Sequence, residues 1–239
     1  MDYGAEVGAV GDFGTTPLDN VSQGKYESHK DGVRITQLLL ERGADVNTRR
    51  KDHGTPLHIA SDLGNLAIAQ LLIEHGADVN AVDELGITPL HDVSRGKYES
   101  QEDGVRIAQL LLERGVDVDA RRNDNWTPLH TASYNGKLKI TQLLIDHGAE
   151  VGAVDDCGMT PLHFVSQGIY ESQEDGVRVT QLLLDHGADV NAKTMFGMTP
   201  LVLLLVSRHK RPKLAGLLIE HAANINPQRL TESLLELIF

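Results

Sequence analysis

The chain has 239 residues, a formal net charge of −12, a single cysteine and 4% aromatic residues. The acidic balance argues against nucleic acid as a partner, because that affinity rests on neutralising phosphates. One cysteine excludes an internal disulfide framework and a cysteine zinc cluster, and no run of about 18 apolar residues offers a membrane-spanning helix.

Along the chain, Met1 to Val10 closely match Ile145 to Val154, so the first residues are expected to be the last turn of a truncated unit. Thr-Pro-Leu then recurs six times, with its proline at Pro17, Pro56, Pro89, Pro128, Pro161 and Pro200. The steps alternate between 39 and 33 residues. A period of this size marks supersecondary units that cannot bury their apolar face alone and must stack into an array. Each copy carries its own helix signals. Thr stands at the N-cap and Pro at the first helical position, where its missing N–H costs nothing. In the shorter copies Gly64 or Gly136 closes a short first helix. The second helix carries a broad apolar face, as in Ile68, Leu71, Leu72 and Ile73, suited to burial against two neighbours. It stops at Gly76, Gly115, Gly148 or Gly187, each placed to take positive φ. The predicted units are 11–47, 48–80, 81–119, 120–152, 153–191 and 192–226, after the truncated end at 1–10. At the far end the pattern decays, with Val202 replacing His and Ala222-Ala223 replacing the Gly-Ala turn. Leu230, Leu234, Leu235, Leu237 and Ile238 then predict a capping helix over 227–239.

The run Thr127-Pro128-Leu129-His130-Thr131-Ala132 resembles the ankyrin repeat, and so do Thr55-Pro56-Leu57-His58-Ile59-Ala60 and Gly76-Ala77-Asp78-Val79-Asn80. The resemblance spans about residues 1–226. It implies a mainly α fold, a single ankyrin-repeat solenoid of helix-turn-helix units with β-hairpin fingers over 1–239. It also implies a non-enzymatic, intracellular protein–protein interaction module or scaffold, its partner seated on a concave face of finger tips and first helices. The alternative is a structural spacer, or an array fragment of a larger multi-repeat protein. His58, His91, His130 and His163 would tie neighbouring turns together by hydrogen bonds. His75, His147 and His186 fall in the last turn of a second helix, where a cation suits the dipole. No Ser/His/Asp or Cys/His constellation, phosphate loop or metal-spaced cluster is present, so neither catalysis nor a cofactor is expected. The expected partner is a protein, with no membrane and no nucleic acid, and with weak homodimerisation through the uncapped N-terminal end. The absence of a basic and apolar leader sets the expected location in the cytoplasm, with the nucleus as the alternative. By family position, Asn47, Asn80 and Asn191 would be the tail asparagines open to hydroxylation.

The resemblance implies that the residue before Thr points from the finger. Ile87, Trp126, Met159 and Met198 make an apolar row there, which Leu85, Met195 and Phe196 extend, and Tyr134 on a first helix joins them. Trp and Met are typical anchors at interfaces; the competing reading packs these side chains on neighbouring fingers. Charge alternates, with Arg49-Arg50-Lys51 and Arg121-Arg122 on short units and Asp83-Glu84 and Asp155-Asp156 on long ones. Ion pairs between fingers are one reading. A partner of alternating charge, meeting Arg49, Lys51, Arg121, Glu84 and Asp156, is the other. His53 and Asn125 stand where the family prefers Gly, which predicts an irregular finger at His53.

The long units owe their length to an insertion between their helices that repeats Tyr26, Tyr98 and Tyr170. Ser100-x-x-Asp103 and Ser172-x-x-Asp175 read as capping boxes that lengthen the second helix by about one turn, with the tyrosine packed over its end. A row of tyrosines as a secondary partner surface, or as phosphorylation sites, competes with that reading. The basic run Arg208-His209-Lys210-Arg211-Pro212-Lys213 reads as an exposed helix–helix loop rather than a nuclear-import signal.

Overall fold

The computed structural model describes residues 6–24, 29–96, 100–170, 172–207 and 211–225, the side chains of His29 and 223–225 excepted. Tyr26, Tyr98 and the helix expected at 227–239 lie outside these residues. Two compact units result, Met1–Asn123 and Asp124–Phe239. The first holds α1 (Pro17–Ser22), α2 (His29–Glu41), α3 (Pro56–Leu63), α4 (Leu66–Glu74), α5 (Pro89–Arg95) and α6 (Gln101–Glu113). The second holds α7 (Pro128–Tyr134), α8 (Leu138–Asp146), α9 (Pro161–Gln167), α10 (Gln173–Asp185), α11 (Pro200–Val206) and α12 (Pro212–Ile225). Each unit is two layers deep. In the first, α3 packs on α1 and α5, while α4 packs on α2 and α6. In the second, α9 packs on α7 and α11, and α10 on α8 and α12. The leucine of each Thr-Pro-Leu faces the seam between layers, and Leu18, Leu57, Leu90 and Leu129 are fully buried there. Burial of one such side chain stabilises by about 2–3 kcal/mol.

The fold is mainly α, and among the described residues no strand is present. The fingers are tight loops closed by backbone hydrogen bonds, such as Asp83 N–H to the Ile87 carbonyl at 3.0 Å and Gly86 N–H to the Asp83 carbonyl at 3.1 Å. One further N–H joins each to the next, as Glu84 N–H joins the Asp52 carbonyl at 3.0 Å. The finger at His53 corrects one expectation. It makes the same turn as the others, with Arg50 N–H on the Gly54 carbonyl at 3.0 Å, because His53 itself takes φ 62°. The corresponding Gly86 holds φ 75°. A histidine in the left-handed region stores backbone strain. His53→Gly is therefore expected to raise stability by about 0.5–1 kcal/mol after the entropy of the added glycine is subtracted. Urea denaturation measures it, and an unchanged or lower midpoint would refute the strain.

The insertion lengthens the second helix and caps it with serine, but without the reciprocal aspartate bond of a capping box among the described residues. α6 and α10 have 13 residues where α4 and α8 have 9, one turn longer. Ser100 and Ser172 are the N-caps, accepting from Asp103 N–H at 3.2 Å and Asp175 N–H at 3.3 Å. Tyr170 shows what the insertion packs. Its ring fills a slot between Gly136, Gly168 and Gly176, where an added Cβ would come within 2.7, 2.5 and 2.6 Å of ring atoms. The Arg211 guanidinium lies 4.4 Å from the ring centroid and donates to the phenol oxygen at 3.0 Å. It also donates to the carbonyls of Val165 and Ser166 at 3.3 Å, and to that of Gly168, so a cation caps the C-terminus of α9. Arg211 is thus half-buried and occupied rather than an exposed loop residue. Burial pushes the Tyr170 phenol above its ordinary value of 10.0. Gly176→Ala should lower stability by about 1–2 kcal/mol despite better helix propensity, since a wedged ring cannot yield. Gly216→Ala, in open space on α12, should raise it by up to about 1 kcal/mol. Changes of the same sign in thermal melts would rule out the glycine slot.

Candidate functional site

The candidate site is built on the first-helix caps. At α3, Thr55 N–H donates to His58 Nδ1 at 3.1 Å. Nδ1 is thereby an acceptor, so the ring is the neutral Nε2–H form, and Nε2 donates to the Ile87 carbonyl at 2.9 Å. His130 and His163 do the same toward the carbonyls of Met159 and Met198, at 3.1 Å each. These histidines are structural, and they hold the backbone of the finger residues that carry the apolar row. Burial, partly opposed by the bond to Ile87, lowers the pKa of His58 below its ordinary 6.5. Burial likewise lowers that of His163. The unfolded chain then takes up these protons first, so stability falls as pH drops below about 6.5. His58→Gln should flatten this acid limb in pH-dependent urea titrations, and an unchanged limb would remove His58 from its cause.

The two units present different chemistry on the finger side. In the second, Trp126 turns onto the first helices. Its ring centroid lies 4.2 Å from that of Phe164 at 62° and 6.0 Å from that of Tyr134. Phe164 also meets His130 edge-on at 5.3 Å and Tyr134 at 6.4 Å. Phe164 is buried, whereas Trp126 and Tyr134 are half-buried, so two aromatic faces rest on a fixed third. Each such pair adds about 0.5–1.5 kcal/mol beyond its area. Met159 and Met198 are half-buried, Met195 and Phe196 are exposed, and the Met195 N–H bonds the Cys157 carbonyl at 2.9 Å. Asp156 is exposed at the adjoining finger.

In the first unit Leu85 is exposed and Ile87 half-buried above a groove floored by charges. Arg95 donates to Asp62 at 3.0 Å and to Asp92 at 2.9 Å, and Arg50 to Asp52 at 2.8 Å. Burial raises the Asp92 carboxyl well above its ordinary range, against the pull of Arg95. Between the fingers at 49–54 and 83–87 no ion pair of the expected kind is found among the described residues. Arg49 instead crosses to the carbonyl of Val82 at 2.8 Å, and Arg50 pairs within its own finger. Arg49, Lys51, Glu84 and Arg121 are exposed.

Sequence reasoning found Trp126 and Tyr134 but missed Phe164, Asp62, Asp92 and Arg95. A signal was available. Three and six residues after each proline, the copies read Ile59/Asp62, Asp92/Arg95, Thr131/Tyr134 and Phe164/Gln167, while the residues between them hardly change.

The family model for ankyrin repeats, in three copies, matches residues 27–101 and 98–179. The chain belongs to the ankyrin-repeat family. A search of curated proteins finds no match to it. Ankyrin repeats are generally protein–protein interaction modules and typically non-enzymatic, so a protein is the implied kind of partner. Among the described residues, no helix is long and apolar enough to cross a membrane. Nor do they place three or more His, Cys, Asp or Glu side chains to hold a metal ion.

Proposed function

We propose that this ankyrin-repeat chain binds a protein partner on the concave face of finger tips and first helices, with the aromatic cluster of the second unit as its anchor. One observation carries the reading: half-buried Trp126 and Tyr134 are held against buried Phe164 on the side where the fingers stand. A surface fixed before binding loses little entropy when the partner arrives. Met159, Met195 and Met198 adjoin the cluster as adaptable contacts, and thioether side chains fit irregular surfaces. In the first unit Leu85 and Ile87 are the apolar contacts. Arg49, Lys51, Arg121 and Glu84 in the first unit, and Asp156 in the second, are charged contacts that steer association more than they add affinity. The units at 11–47, 48–80, 81–119, 120–152, 153–191 and 192–226 belong to the same reading, as does a cytoplasmic or nuclear setting.

The test is partner capture by the intact chain beside Trp126→Ala and Tyr134→Ala, with circular dichroism and thermal melts showing that all three fold. Loss of a central aromatic anchor is expected to cost about 2 kcal/mol, roughly thirtyfold in Kd. A partner retained undiminished by both variants would remove the aromatic cluster from the site. No partner at all would favour the spacer.

A further inference from the structure

The first unit carries a groove of about 530 Å³ between α3, α5 and the fingers at 50–54 and 83–87. Four carboxylates line it, Asp52, Asp62, Asp83 and Asp92, against the two guanidiniums of Arg50 and Arg95. With all six ionised, four minus two leaves two negative charges in excess. Arg50 holds Asp52 through one Nη while its buried Nε has no partner among the described residues, and Arg95 reaches Asp62 and Asp92 only at their Oδ1 atoms. Asp83 Oδ1 accepts from the N–H groups of Leu85 and Ile87 at 2.8 Å each. The Oδ2 atoms of Asp62, Asp83 and Asp92 have no hydrogen-bond partner among the described residues.

Asp92 is the decisive member. Its relative exposure is 5%, yet the corresponding positions of other repeats hold Asn20, Ile59, Thr131 and Phe164. The fold does not require a carboxylate there. Its Oδ1 takes the Arg95 guanidinium at 2.9 Å, while its Oδ2, on a largely buried side chain that lines the groove, has no hydrogen-bond partner among the described residues and costs stability so placed. Ile59, Leu63 and Leu85 supply apolar walls beside it, which strengthen any charge interaction made in the groove.

We propose that this groove recognises an arginine of the protein partner, flanked by an apolar residue that lies on Leu63 and Leu85. The inference rests on the reading of the chain as a protein-binding module. The incoming guanidinium supplies donors to the free oxygens and offsets half of the excess charge. Its planar fork spans two carboxylates where a lysine ammonium meets them as a point. An acidic segment would be repelled from the same place.

The experiment titrates the capped peptide Ac-Gly-Leu-Arg-Leu-Gly-NH2 into the ¹⁵N-labelled full chain, beside the same peptide carrying citrulline, the neutral isostere of arginine. Saturable amide shifts are expected at Asp62, Leu85, Ile87 and Asp92, with citrulline at least tenfold weaker. Asp92→Asn and Asp62→Asn should each weaken the arginine peptide severalfold. Circular dichroism should show both variants folded. Asp146→Asn/Asp185→Asn, which removes acids from the second helices of the other unit, should leave binding unchanged. Equal binding of the two peptides overturns the proposal, and so does an equal loss in Asp146→Asn/Asp185→Asn. If the peptide fails while Trp126→Ala loses its partner, the groove assignment falls alone. If the peptide binds while Trp126→Ala and Tyr134→Ala keep their partner, the aromatic anchor falls and the groove stands.

Discussion

The rest of the structure depends on one imidazole bridge. His58 accepts the Thr55 N–H on one ring nitrogen and donates from the other to the carbonyl of Ile87, 29 residues on. The first bond closes a helix N-terminus, where free N–H groups would otherwise lack partners. The second fixes the next finger against the helix just begun. Both bonds require the neutral ring, so burial, tautomer and repeat geometry are a single constraint. The ends of the array show what happens without it. In the first repeat Asp19 takes the inner half of the role, its Oδ2 accepting from the Thr16 N–H at 2.8 Å, but a carboxylate that short has no second donor for a finger. In the sixth, Val202 has no ring nitrogen at all, and Thr199 caps α11 through its hydroxyl alone, accepting from the Val202 N–H at 3.3 Å.

Because the bridge runs through backbone and cap, it leaves the neighbouring side chains free to differ. The residues three and six places beyond each proline sit on the same short helices as the histidine and add contacts of their own between repeats, Arg95 to Asp62 in the first unit and Phe164 to Tyr134 in the second. Aromatics occupy them in the second unit and an ion-pair cluster in the first. Position and chemistry are thus decoupled: the histidine decides where a side chain stands, and the variable positions decide what it binds. That separation lets a family with one architecture serve many partners.

Most of the architecture was legible because its determinants are local. Thr-Pro marks a helix start, Gly-Ala its end, and the recurrence of both sets the stacking. The two departures came from tertiary context. His53 was read as a poor turn residue, but the finger is held at both ends, at the Gly54 carbonyl and against the neighbouring finger, and the backbone follows those bonds rather than the residue's preference. The charged fingers were read as mutual partners. Arg49 is long enough to pass the acidic tip and take the Val82 carbonyl, which is fixed in place where an exposed carboxylate is not. The candidate site was half legible. Trp126 announced itself as the one tryptophan, whereas the packing of Phe164 beneath it depends on a contact between consecutive repeats that no single repeat reveals.

The alternation of long and short units has a physical reason beyond duplication. A long unit extends its second helix by a turn, and the last carbonyls of its first helix stay unpaired within that helix. The carbonyls left there need donors from elsewhere, and the following unit supplies them from the start of its own second helix. Asn65 donates to the Ser22 carbonyl at the end of α1 at 2.7 Å. At the end of α9, Arg211 does the same for the carbonyls of Val165, Ser166 and Gly168. Gly24 lies beneath Asn65, and Gly168 beneath the Tyr170 ring that Arg211 covers, each at a place a side chain would fill. The structural module is therefore a long unit closed by a residue of the next one. Tyr170 belongs to that closure, its ring covered by Arg211 and its hydroxyl engaged, so the insertion serves the back of the stack while the fingers and first helices remain available for a partner.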